Sequence, residues 1–153
     1  MKIAIATEPF DSPDARQLVA ALDGHLASRY KPEQMFGPHL KAEMVAPGVG
    51  TFVIARADGV AIGCGALRRR NASTIEVKRM YVVPEMRGRG VARQVLDHLV
   101  KEARTMGAER LVLETGVYQG EAIGLYSAAG FRAVECFDEY VGTSTSVCFE
   151  KEL

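Results

Sequence analysis

The turn Arg87-Gly88-Arg89-Gly90 alternates two cationic side chains with two residues that lack a Cβ, directly ahead of an amphipathic stretch opening at Val91-Ala92. A helix N-terminus presents unpaired N–H groups and the positive end of the helix dipole, so an anion fits there if the backbone comes close. Glycine lets successive amides converge on that anion, and arginine adds charge-assisted hydrogen bonds to phosphate oxygens. Two other phosphate loops do not fit. A Walker A loop requires Lys and then Ser or Thr after its last glycine, where Val91 and Ala92 stand. A dinucleotide fingerprint requires a third small residue, and Arg93 occupies that place. Nothing near Cys64 in sequence activates its thiol, so an acyl-cysteine intermediate is not expected. His25, His39 and His98 are scattered without metal-ligand spacing, and no metal is expected.

The elements around this turn follow from periodicity. "KIAIAT" alternates as a strand, and Asp11 or Ser12 can cap a helix whose first position suits Pro13, with Leu18, Val19, Leu22 and Leu26 on one face. Residues 31–50 hold three prolines and three glycines around a short helix, an irregular segment suited to a binding mouth. Two apolar runs joined at Asp58-Gly59 read as a hairpin, and "STIEVKRMYVV" supplies a third strand. After the glycine turn, Val91, Ala92, Val95, Leu96, Leu99, Val100 and Ala103 recur at helical spacing, and Gly107 ends the helix. "ERLVLET" is a strand, "EAIGLYSAAG" a short helix closed by Gly130, and "FRAVEC" and "STSVCFEKEL" supply terminal strands. The order predicts an α/β fold in which an antiparallel meander feeds a strand–helix–strand unit.

Length and charge bound the function. The 153 residues fit one domain, 1–153, and Lys+Arg equal Asp+Glu at 19 each, so no global charge recruits nucleic acid or a membrane surface. The basic run Leu67–Asn71 reads as a solvated loop rather than a DNA contact. No apolar run approaches the roughly 20 residues of a membrane span, and the N-terminus lacks a secretory pattern, so a cytoplasmic protein is expected. Cys64, Cys136 and Cys148 read as free thiols, which suits a reducing compartment.

Three segments in chain order, "IEVKRMYVVPEMRGRGVA", "LVLETG" and "EAIGLYSAAGF", resemble the GCN5-related N-acetyltransferase (GNAT) superfamily. The resemblance covers roughly residues 50–135. It implies an acyl-CoA N-acyltransferase fold with a mixed central sheet of six to seven strands flanked by about four helices. It also implies acetyl-CoA as co-substrate and transfer of its acetyl group directly to a primary amine. Met80, Tyr81 and Val82 would bind the acetyl and pantetheine parts through their backbone, and Arg87, Gly88, Arg89, Gly90, Val91 and Ala92 would surround the pyrophosphate. Glu85 stands where the family has Gln or Arg, so no side-chain role is carried over there. Ala122, Leu125, Tyr126, Gly130 and Phe131 match the motif A-x-x-L-Y-x-x-x-G-F, with Leu125 a coenzyme contact and Tyr126 the acid that protonates the leaving thiolate. Glu121 stands where the family often has Asn, so no coenzyme contact is carried over to it.

An ammonium must lose a proton before it attacks a thioester. Glu76 is the leading base because its strand resembles the one that carries the catalytic glutamate in histone-type members. Strand alternation places Glu76, Lys78, Met80 and Val82 on one face and Ile75, Val77, Arg79, Tyr81 and Val83 on the other. Glu114 is the second candidate. The acceptor, a small-molecule or peptide amine, would be chosen by residues 11–48 and 137–145, which include His25, Tyr30, Glu33, Phe36, His39, Glu139 and Tyr140. A homodimer fits exposed strand edges and the family's habit. The reading from a different class is a non-catalytic acyl-CoA-binding module.

Overall fold

The computed structural model describes residues 1–34 and 40–153. Seven strands form one sheet in the order β1-β2-β3-β4-β5-β7-β6. They are β1 (Ile3–Thr7), β2 (Gly50–Ala57), β3 (Val60–Arg69), β4 (Thr74–Val82), β5 (Arg110–Gly116), β6 (Arg132–Val134) and β7 (Ser146–Glu152). Every neighbouring pair is antiparallel except β4 and β5, which run parallel because a helix carries the chain from one to the other. The β2–β3 hairpin turns at Asp58 (φ 50°) and Gly59 (φ 82°), the left-handed pair that a two-residue connection requires.

Three α-helices are present among the described residues, against about four expected, with four short 3-10 turns beside them: α1 (Pro13–Arg29), α2 (Val91–Thr105) and α3 (Gly120–Ala128). Ser12 caps α1 by accepting a hydrogen bond from the Ala15 N–H at 3.1 Å, ahead of Pro13 at the first position. The segment expected to be irregular holds two of the 3-10 turns, Pro32–Gln34 and Ala42–Val45, and part of it lies outside the described residues.

The sheet has an apolar layer on each face. On one, Val91, Val95, Leu96 and Leu99 of α2 are at most 1 % exposed, each contributing about 2 kcal/mol by burial. Gly65 of β3 permits the approach of α2, because a Cβ there would lie 2.9 Å from Leu99, Met80 and Val95 atoms. On the other face Ala15, Leu18 and Leu22 of α1 cover Phe52, Ile54, Cys64 and Tyr81.

The expectation of three free thiols is corrected. Cys136 and Cys148 form a disulfide, with Cα atoms 5.1 Å apart, and Cys64 alone is free and buried. The pairing was hidden because it depends on β6–β7 register: Val134 lies opposite Cys148, which brings Cys136 to the same place. With two of three cysteines paired, the thiols no longer argue for a reducing compartment. No described helix is long and apolar enough to cross a membrane.

The disulfide closes a loop that is also fastened to the sheet by charge. Arg70 donates to both carboxylate oxygens of Glu139, and this holds the Glu139 carboxyl down at about 2 from its ordinary 4.5. A depressed folded-state value means the pair stabilises fully above the unfolded value and stops doing so as pH falls through the folded one. Wild type should therefore melt above Glu139→Gln at pH 7, and the gap should close between about pH 4.5 and 2 when melting is followed against pH. A gap that does not change with pH would mean the pair contributes nothing through charge.

Candidate active site

β4 and β5 are hydrogen-bonded only from Thr74 opposite Arg110 to Glu76 opposite Val112. Beyond that point β4 continues to Val82 and β5 to Gly116 without pairing, and the sheet opens into a cavity of about 1220 Å³. Its wall is made by β4 from Glu76 to Val82, by Glu114–Gly116, by the start of α2, by Ala122, Leu125 and Tyr126 of α3, and by α1.

A β-bulge shapes the β4 side. Cys64 of β3 faces Tyr81 and Ala66 faces Lys78, so Gly65 alone opposes both Arg79 and Met80. Arg79 takes φ 57°, rare for a residue with a Cβ. Its carbonyl accepts the Cys64 thiol at 3.3 Å, and its guanidinium binds Asp23 of α1 at 2.6 Å. Burial pushes the Cys64 thiol up to about 12, so it stays protonated and serves as a donor to the bulge.

The bulge corrects the alternation expected along β4. Ile75, Val77, Met80 and Val82 face the α2 layer, whereas Glu76, Lys78 and Tyr81 face α1 and the Glu139–Tyr140 loop. Glu76 therefore does not share a face with Met80 and Val82; the extra residue inverts the parity between them.

At the α2 end, Gly88 (φ 74°) and Gly90 (φ 80°) are both left-handed, and Gly90 is the N-cap. A Cβ at either would meet nothing within 4 Å, so conformation rather than crowding calls for glycine. No side chain caps α2 and its first turn holds no acidic residue, which leaves the helix end to an anion among the described residues. Arg87 lines the cavity with its Nε donating to the Val82 carbonyl at 2.9 Å and its guanidinium 5.5 Å from the centre of the Tyr81 ring. Met80, Tyr81, Val82, Gly88, Gly90, Val91, Ala92 and Leu125 also line it; Arg89 is exposed and outside the wall. Arg93 lines the cavity as well. These residues fit the phosphates of a coenzyme.

Deeper in, three carboxyl and phenol groups differ sharply. Glu76 is 1 % exposed; Oε1 accepts from Arg70 Nε at 2.8 Å and Nη2 at 2.6 Å, and Oε2 accepts from Tyr140 Oη at 2.9 Å. Glu114 accepts from Ser146 at 2.7 Å, and burial raises its pKa above the usual carboxylate value. Tyr126 packs against Phe131 and Phe149, and burial, with the nearby Glu114 charge second, raises its phenol above the ordinary 10. Both Glu114 and Tyr126 line the cavity.

Of the expected acceptor residues, His25 and Tyr140 line the cavity, with His25 lowered by burial and by Arg29 and Arg87. Tyr30 is turned to structure instead, its hydroxyl accepting from the Tyr118 N–H at 3.0 Å. Glu33 and Glu139 are not in the wall, and Phe36 and His39 lie outside the described residues. Lys78 and Arg79 were not singled out as site residues, and no local motif marks them: Lys78 reaches the site by alternation with Glu76, and Arg79 sits at the bulge itself.

Comparison with known proteins agrees with this geometry. The acetyltransferase (GNAT) family matches residues 10–131. An IAA acetyltransferase of Azospirillum brasilense is 37% identical over 90% of this chain and 89% of its own. A Klebsiella pneumoniae protein of known structure, assigned to the acyl-CoA N-acyltransferases, superposes with a TM-score of 0.87 at 29% identity, covering 99% of this chain and 97% of that one. A GNAT family acetyltransferase of Elizabethkingia anophelis, solved with acetyl-CoA bound, shares the fold at a TM-score of 0.72 and 19% identity, covering 99% and 98%. A sheet parted between β4 and β5, a glycine-formed helix end at one side of the gap and a family match across most of the chain lead to one conclusion: this protein is a member of the GNAT family of acetyltransferases.

Proposed function

We propose that the protein transfers the acetyl group of acetyl-CoA directly to a primary amine, with Glu114 as base and Tyr126 as donor to the leaving sulfur. The observation that carries this reading is one cavity that contains the α2 helix end, the unpaired stretch of β4, and both Glu114 and Tyr126. The amides of Gly88–Ala92, with Arg87 and Arg93, receive the pyrophosphate. The free edge of Met80–Val82 receives the pantetheine arm, and a backbone N–H there meets the oxyanion as the amine nitrogen adds to the thioester carbon.

The base assignment moves from Glu76 to Glu114 for a physical reason. A carboxylate whose two oxygens are held by Arg70 and Tyr140 has its lone pairs engaged and serves to position its neighbours. Glu114 carries one side-chain hydrogen bond among the described residues and a raised pKa, which brings its basicity nearer to neutral pH. It accepts the proton that the nitrogen loses. When the tetrahedral intermediate collapses, the C–S bond breaks and the sulfur takes its hydrogen bond and proton from the Tyr126 hydroxyl. Burial keeps that phenol protonated across the neutral range, so the donor is always present.

Three outcomes test these roles. With wild type, kcat/KM should level off above the raised Glu114 value, whereas with Glu114→Gln it should keep rising with pH towards the pKa of the free amine; identical profiles would remove Glu114 as base. Tyr126→Phe should lower kcat about 100-fold with unchanged acetyl-CoA affinity by calorimetry, the size expected for a positioned proton donor. A left-handed residue with a Cβ costs roughly 1–2 kcal/mol, so the free Gly90→Ala turn should relax out of this conformation, and restoring it on binding should weaken acetyl-CoA affinity about tenfold. Unaltered binding would mean the turn is not the phosphate site.

A further inference from the structure

The cavity wall on the α1 side carries fixed charges of both signs. Arg29, Lys78 and Arg79 are cationic, and Asp23, Glu76 and Glu114 are anionic. Most are already spent on the protein. Arg79 holds Asp23, Arg70 holds Glu76, and Arg29 donates to the Tyr118 carbonyl at 2.9 Å. Lys78 and Glu114 are spent least. An ammonium has three N–H donors. Among the described residues Lys78 gives one hydrogen bond, to Tyr140 Oη at 3.0 Å, and pairs with Glu76 Oε2 at 3.7 Å by charge alone, past hydrogen-bond reach and with that carboxylate already held by Arg70. Glu114 receives only Ser146. Each is mostly buried, and burial disfavours the charged form of both, lowering the Lys78 pKa and raising that of Glu114. A ligand that brings a negative group to Lys78 and a positive one to Glu114 relieves both costs together.

Building on the acetyl-transfer reading, we propose that the acceptor is a free amino acid, whose amino group is received by Glu114 and whose carboxylate is received by Lys78. A polyamine would set a second cation against Lys78 and Arg79. An amino acid amide would leave the Lys78 donors unanswered. Its side chain would lie along Leu22 and Leu26 of α1, the apolar part of the same wall.

The test begins with calorimetric binding of acetyl-CoA to the purified protein. Acetylation is then measured with each free L-amino acid, with the matching amides and with spermidine. At least one free amino acid should be acetylated with a kcat/KM about 100-fold above that of its amide, the discrimination that an unanswered charge-assisted contact produces. In Lys78→Met the preference should fall towards unity through a higher KM for the free acid, and in Lys78→Arg it should return; melting curves of both variants report their folding. Equal use of amides or spermidine, a preference that survives Lys78→Met, or no acetylation of any amino acid by protein that binds acetyl-CoA would overturn the proposal. Failure to bind acetyl-CoA would remove the acetyl-transfer reading itself.

Discussion

A strand in the middle of a sheet must satisfy backbone donors and acceptors on both edges, and β4 does so on both only as far as Glu76. From there to Val82 its pairing with β3 continues while its other edge is open. Such an edge accepts an extended, amide-bearing chain in place of a strand. The gap is kept from closing by the packing around it. α2 is clamped to one face by fully buried aliphatic residues, α1 covers the other, and β5 is held away by its own seven-residue ladder to β7.

The two sides of the cavity are stabilised by different physics. The α2 side rests on apolar packing, with Val91 and Val95 anchoring the helix whose first turn opens on the cavity. The opposite side rests on ion pairs and hydrogen bonds that converge on Glu76, a buried carboxylate whose desolvation is offset by Arg70, Tyr140 and Lys78 together. Removing one partner of such a group leaves charge unanswered, so the network holds as a unit. Glu76 is thereby a fixed point that sets where Lys78 and Tyr140 lie.

Much of this was legible in the sequence because it is local. The apolar stripe of α2, the Asp58-Gly59 turn, the Ser12 cap and the glycine turn ahead of α2 each depend on a few adjacent residues. What was not legible depends on contacts between distant segments. Arg70 and Glu139 are 69 residues apart, Tyr140 and Glu76 are 64 apart, and Cys136 meets Cys148 only through strand register. Pattern alone could rank Glu76 above Glu114. It could not show that one is enclosed by donors and the other is open to the cavity.

Arg79 acts on β4 as a shift of frame. Upstream of it even-numbered residues look toward α1, and downstream even-numbered residues look toward α2. Both halves of the strand still present side chains to each layer, Ile75, Val77, Met80 and Val82 to one and Glu76, Lys78 and Tyr81 to the other. Without Arg79, Lys78, Met80 and Tyr81 would pair in turn with Ala66, Gly65 and Cys64 and keep their present faces, so the extra residue serves to aim its own carbonyl at Cys64 and its guanidinium at Asp23.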